Sequence, residues 1–148
     1  MSGTLLSDTF HIDSIDRDGK VFQRVSRFIA ASRRYGIEMV CDFNSELFKP
    51  QPDDNIEVLL TSSINDDGSI DTNAQYNPRL QSKLLDDYEY VMFGKVFKVR
   101  QPSAENDHQS EIYVSFGGLL LSLKGRAGNG LNNIDLDSQL YLLIRKAK

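Results

Sequence analysis

Residues 86–125 read DDYEYVMFGKVFKVRQPSAENDHQSEIYVSFGGLLLSLKG, and three apolar, aromatic and β-branched runs stand out: Tyr88 to Val99, Ile112 to Phe116 and Leu119 to Leu123. Side chains of these types suit a pleated, half-buried surface. Only Gly117 and Gly118 separate the last two runs. Primed two-residue turns need positive φ, which glycine adopts at no steric cost, so the pair predicts a tight hairpin. Gln101–Ser110, polar with a single proline, links the first run to the second. The expectation is a meander of three antiparallel strands.

Outward from this centre, the rest of the chain repeats the strand pattern. Leu5 to Ile12 reads as a first strand, with Leu6, Phe10 and Ile12 apolar and Asp8 polar in one alternating set. Asp16-Arg17-Asp18-Gly19 is a turn. Val21 to Ser32 admits two readings: Val25, Phe28 and Ile29 have helical spacing, while Val25, Ile29 and Ala31 line one face of a strand interrupted by Arg27. The strand preference of Val, Phe and Ile, with Tyr35-Gly36 closing the run, favours the strand. Ile37 to Asn44 alternates, with Ile37, Met39, Cys41 and Phe43 on one face and Glu38, Asp42 and Asn44 on the other. Pro50 and Pro52 end that segment because proline cannot donate to a ladder. Ile56, Val58 and Leu60 mark the next strand.

Near the C-terminus, Gly125 to Asn133 is a glycine- and asparagine-rich loop. Gln139 to Arg145 is the last strand. It is apolar on both faces, which predicts cover on both sides. Residues 63–86 are rich in Asn, Asp and Ser without sustained periodicity, and read as a mobile surface loop with one short helical turn near Leu80 to Leu85. Eight short strands, glycine-rich turns and almost no helix predict an all-β fold, a closed or partly closed antiparallel barrel. Residues 1–148 form one domain with no internal repeat.

A chain of 148 residues with 40% hydrophobic and 26% charged residues is ordinary for a soluble globular domain. No stretch approaches the roughly 20 apolar residues that span a bilayer, and the N-terminal MSGTLLSDTFHID lacks the basic and apolar regions of a secretory signal. The single cysteine excludes an internal disulfide. Cys41 shares a face with Met39 and Phe43, as an inert core thiol would. Two histidines and one cysteine give no zinc-ligand spacing. A calcium loop centred on Gly68 fails because Ala74 stands where the bidentate Glu belongs. Gly117-Gly118 and the later glycines lack the helix and lysine of a phosphate loop. No reactive set for catalysis, no cofactor and no small-molecule substrate are expected.

The net charge of −4 opposes free binding to nucleic acid. The cations are unevenly placed, however. Six of the 17 Lys and Arg, namely Arg17, Lys20, Arg24, Arg27, Arg33 and Arg34, fall within 17–34, opposed there only by Asp18. Phe22, Phe28 and Tyr35 interleave with them. Aromatic faces beside backbone-tracking cations are the means by which OB-type sheets bind single strands without sequence preference. These nine residues are the candidate nucleic-acid site. The competing reading makes the aromatics core and the arginines a solvated or protein-facing surface.

Asp87-Tyr-Glu-Tyr-Val-Met-Phe-Gly94 and Ser115-Phe-Gly-Gly-Leu-Leu-Leu-Ser-Leu-Lys-Gly125 resemble two signature segments of the small OB-like subunit common to nuclear RNA polymerases I, II and III. The likeness extends to Leu6-Ser-Asp-Thr-Phe10, Phe22-Gln-Arg-Val-Ser-Arg27, Asp42-Phe-Asn44 with Glu46-Leu-Phe48, Asn132-Asn133 and Tyr141-Leu-Leu-Ile-Arg145. The central polar loop does not match clearly. The resemblance implies an eight-stranded OB-like barrel without catalysis of its own. It also implies a subunit docked mainly on the largest polymerase subunit near the α-like subunits, in the nucleus including the nucleolus. In the family, the second and third strands and the turn before them are associated with non-specific single-stranded DNA binding, which here covers Asp16 to Met39. A free-standing single-strand-binding OB module is the alternative, and strand edges exposed for partner docking are a further expectation.

Overall fold

Eight strands follow the alternation of the sequence: β1 (Thr4–Ile15), β2 (Val25–Ala31), β3 (Glu38–Asn44), β4 (Asn55–Thr61), β5 (Tyr90–Arg100), β6 (Gln109–Phe116), β7 (Leu119–Arg126) and β8 (Gln139–Lys146). The computed structural model describes residues 4–17, 19, 23–32, 34–62, 87–106, 108–126, 131 and 134–147. The expected loop at 63–86, with its helical turn, lies outside the described residues. Among the described residues, a three-residue 3₁₀ turn stands at Ala104–Asn106.

All neighbouring strands pair antiparallel, in the closed order β1-β2-β3-β7-β6-β5-β8-β4. The β5–β6–β7 meander is present as the central stretch predicts. Gly117 and Gly118 have φ of 64° and 102° at the β6–β7 turn, the positive values the tight hairpin requires. Closure gives every strand a neighbour on both sides, so the expected exposed edges reduce to short unpaired strand ends.

The inward set fills the barrel. Phe10, Ile12, Phe28, Met39, Cys41, Ile56, Leu60, Val96, Val114 and Leu142 are fully buried or nearly so. An aromatic file runs through one end: Phe28 and Phe43 lie 5.6 Å apart, Phe43 and Phe48 5.9 Å, and Phe48 stacks on Tyr90 at 5.4 Å. Burial pushes the Cys41 thiol far up, which keeps it protonated and unreactive. The two-sided apolarity of β8 has a direct cause. Leu140, Leu142 and Ile144 enter the interior, while Tyr141 and Leu143 join Leu59 in a second cluster on the outer face, packed with Tyr88, Val91 and Phe93.

Gly94 marks a close approach of two backbones. A Cβ at this position would stand 2.3 Å from the Ser115 carbonyl oxygen and 2.5 Å from Phe116 Cδ1, so no larger residue fits without moving β6.

The β3·β7 seam is short, with only Glu38–Cys41 paired to Leu121–Lys124. Beyond it, side chains take over from the ladder. Asp42 Oδ2 accepts from the Leu120 N–H at 3.0 Å, and the Tyr90 hydroxyl accepts from the Asn44 N–H at 2.9 Å.

Candidate nucleic-acid interface

β2 presents Val25, Arg27, Ile29 and Ala31 outward and Ser26, Phe28 and Ala30 inward, so Arg27 is the cation this strand offers to the surface. Its Nε and Nη2 donate to Asp42 at 2.6 and 3.2 Å, and its backbone N–H donates to Asp16 Oδ1 at 3.0 Å. Strand register explains the pair, because Arg27 lies directly opposite Asp42 on β3. The fork of the guanidinium suits a carboxylate held in this way.

A groove of about 450 Å³ opens beside this pair. Its floor and walls are Val25, Ile29 and Leu119, and Arg17, Arg27 and the glycine turn at 117–118 form the rim. The local sequence builds it from two turns brought to one end of the barrel. The β1–β2 connection carries Arg17 past Asp16, whose φ of 52° turns the chain, and the β6–β7 hairpin supplies the opposite lip. Asp16 and Asp42 line it as well, so its two arginines stand beside two carboxylates around an apolar floor.

The remaining expected residues divide. Arg24 is exposed at the start of β2 and pairs with Glu46 at 3.3 Å. Arg34 and Tyr35 sit in the turn beyond the other end of β2, with the guanidinium 5.0 Å from the ring centroid, a cation–π contact at a surface site. About four residues of strand, roughly 13 Å, separate Arg27 from that end. Arg34 lines a second groove of about 520 Å³ with Asp8, His11 and Asn55. Phe28 is wholly buried against Phe43, so its ring belongs to the core and not to a stacking surface. Inward alternation in β2 is the physical reason for this correction. Lys20, Phe22 and Arg33 lie outside the described residues. Among the described residues of the basic window, Arg17 and Arg27 line one groove and Arg34 another, beyond the other end of β2.

Sequence reading passed over Asp42 and Leu119 as members of the groove. The available signal was Asp42 itself, a carboxylate on the outward set of a strand whose neighbour carries an outward arginine. Pairing β3 with β7, which brings Leu119 there, could not be read from local pattern. Among the described residues there is no group of three or more His, Cys, Asp or Glu placed to hold a metal ion, and no described helix is long and apolar enough to cross a membrane.

The fold defines a class: a small closed β-barrel with a side-chain-filled interior and grooves confined to its outer surface. The chain belongs to the family described as RNA polymerase Rpb8, whose model matches residues 7–146. It is 40% identical over 147 residues to the DNA-directed RNA polymerases I, II, and III subunit rpabc3 of Dictyostelium discoideum, covering 99% of this chain and 100% of that one. The RPABC3 subunit of the same three enzymes from Saccharomyces cerevisiae is 36% identical over 153 residues, covering 99% and 100%. A Caenorhabditis briggsae protein named as a probable subunit RPABC3 is 37% identical over 147 residues, covering 99% and 98%.

Proposed function

We propose that this chain is a shared, non-catalytic subunit of nuclear DNA-directed RNA polymerases I, II and III. It docks mainly on the largest subunit of each, near the α-like subunits, and resides in the nucleus including the nucleolus. The single observation that carries this reading is end-to-end membership of the family, joined to a barrel of the expected strand count. The role follows from the physics of the fold. A rigid, well-packed barrel stabilises an assembly by offering a preformed surface, with little ordering cost on binding. Affinity purification of the tagged chain from its own cells tests it. The largest subunits of all three polymerases should be retained through a high-salt wash. Recovery of the chain alone would refute the reading, and recovery of one polymerase would refute the shared role.

A weak single-strand contact at the Arg17–Arg27 groove is part of the same proposal, with Arg24 beside it. The net charge of −4 opposes free binding, so the contact operates once the assembly has positioned the barrel. Replacing Arg17, Arg24 and Arg27 by Gln should flatten the dependence of single-strand affinity on salt by about 0.7 in log–log slope for each phosphate that is no longer neutralised. An unchanged slope would remove this site. Tight binding of the isolated chain at physiological salt would favour a free-standing nucleic-acid module instead.

A further inference from the structure

The outer face of β5–β6–β7–β3 carries an arrangement that the basic window does not include. Strand register sets Arg100, Glu111, Lys124 and Glu38 side by side across four strands, an alternating charge ladder. Glu111 is its centre. Arg100 Nη1 lies 3.3 Å and Lys124 Nζ 4.0 Å from its carboxylate oxygens, and the Tyr113 hydroxyl donates to Oε1 at 2.8 Å. Its side chain is 8% exposed, whereas those of Arg100 and Lys124 are 43% and 42% exposed. The carboxylate is therefore sunk beneath cations whose outer donors face solvent. Glu38, at the far end on β3, is the exposed carboxylate of the row.

The adjacent row is nearly uncharged: Lys98, Tyr113, Ser122, Val40 and Ile29. The bulge between Val96 and Lys98 sets Phe97 beside Lys98, and both are exposed. The Phe97 ring lies 6.2 Å from that of Tyr113, and Lys98 Nζ lies 5.3 Å from the Tyr113 centroid. Leu120, on β7, is the second exposed large apolar side chain on this face. The face combines an aromatic anchor, a small-residue floor at Ser115 and Ser122, an aliphatic side chain and a rim of cations. Exposed aromatic and aliphatic groups ringed by charge mark an interaction surface.

We propose that this face is the docking surface for an extended, acidic segment of another subunit, which lies across the strands with an apolar side chain between Phe97 and Leu120 and carboxylates over Lys98 and Arg100. The inference rests on the subunit reading above. Charge complementarity selects the occupant, since the accessible charge here is cationic at the β5–β7 end on a chain that is acidic overall. Protein is favoured over nucleic acid because Leu120 and Val40 offer aliphatic contact rather than stacking area. The exposed Glu38 at the far end of the row also repels the evenly spaced phosphates of a strand, whereas a peptide can confine its carboxylates to the Lys98–Arg100 end.

The test uses full-length tagged chain in its own cells. One arm carries Phe97→Ser with Lys98→Glu, both at exposed positions, and a control carries Lys49→Glu, an exposed lysine in the β3–β4 connection. Thermal unfolding of each purified chain verifies folding. The second arm places a photoreactive phenylalanine analogue at position 97 and identifies the cross-linked peptide by mass spectrometry. The expected result is a loss of about tenfold or more in retained polymerase subunits for the face variant and little for the control, with the cross-link on a segment bearing Asp or Glu. Full retention by the face variant, or a cross-link to nucleic acid or to a basic segment, overturns the inference. If the unaltered chain retains no polymerase subunit, the subunit reading itself has failed, and this inference falls with it.

Discussion

Asp42→Ala should weaken the barrel more than any loss of its ion pair explains. Three donors converge on the Asp42 carboxylate: Arg27 Nε at 2.6 Å, Arg27 Nη2 at 3.2 Å and the Leu120 backbone N–H at 3.0 Å. The carboxylate is 10% exposed and the guanidinium 54% exposed. A half-solvated arginine makes the pair itself worth about 0.2–1 kcal/mol. The Leu120 N–H is different, because truncation leaves a part-buried backbone donor without this acceptor, at up to about 1–3 kcal/mol. It also lies next to the β3·β7 seam, whose ladder spans only Glu38–Cys41 against Leu121–Lys124. The sum is about 1–4 kcal/mol, or roughly 2–16 °C in Tm for a domain of this size. Arg27→Ala, by contrast, should cost less than about 1 kcal/mol, and Asp42→Asn, which retains one acceptor oxygen, should fall between. Thermal and urea unfolding of the three variants decide the matter. Equal losses for Asp42→Ala and Arg27→Ala would refute the view that the aspartate caps the seam.

Gly94→Ala places a methyl 2.3 Å from the Ser115 carbonyl oxygen, and urea unfolding should show a loss of about 1–3 kcal/mol or more as β6 is pushed away. Burial holds the Tyr90 phenol above its ordinary value, partly offset by the Asn44 N–H it accepts. The unfolded chain therefore ionises first, so this contribution to stability is complete below about pH 10 and lost as pH rises through the folded value; stability measured from about pH 9 to 12 should fall less steeply in Tyr90→Phe. Cys41 is fully buried with its thiol pushed far up, so alkylation by iodoacetamide under native conditions should be slow and limited by unfolding, a rate that mass spectrometry follows against the urea-denatured chain.

The strands were legible wherever one face alone was buried. Ile37, Met39, Cys41 and Phe43 alternate because each enters the interior, and the Gly117-Gly118 turn was readable because its chemistry is local. β8 was legible for the opposite reason, since an apolar run on both faces needs cover on both, here the barrel interior and the Leu59–Tyr141–Leu143 cluster. The barrel itself was legible from the strand count, but the order in which its strands meet was not. The β3·β7 and β8·β4 seams join segments far apart in sequence, and no local pattern encodes which strands meet. The same gap explains the site. A run of cations in sequence does not say that a strand will turn Phe28 inward and carry Arg34 to the far end from Arg17. Nor does the pattern of β5 reveal a bulge that sets Phe97 outward beside Lys98.

The most direct measurement is the copy number of this 16.7 kDa chain in RNA polymerases I, II and III, each purified separately through its own unique subunit and weighed by native mass spectrometry. One copy in every enzyme, retained after a high-salt wash, is the predicted result. Its absence from any of the three, or its loss at a salt concentration that leaves the other subunits bound, would contradict the account.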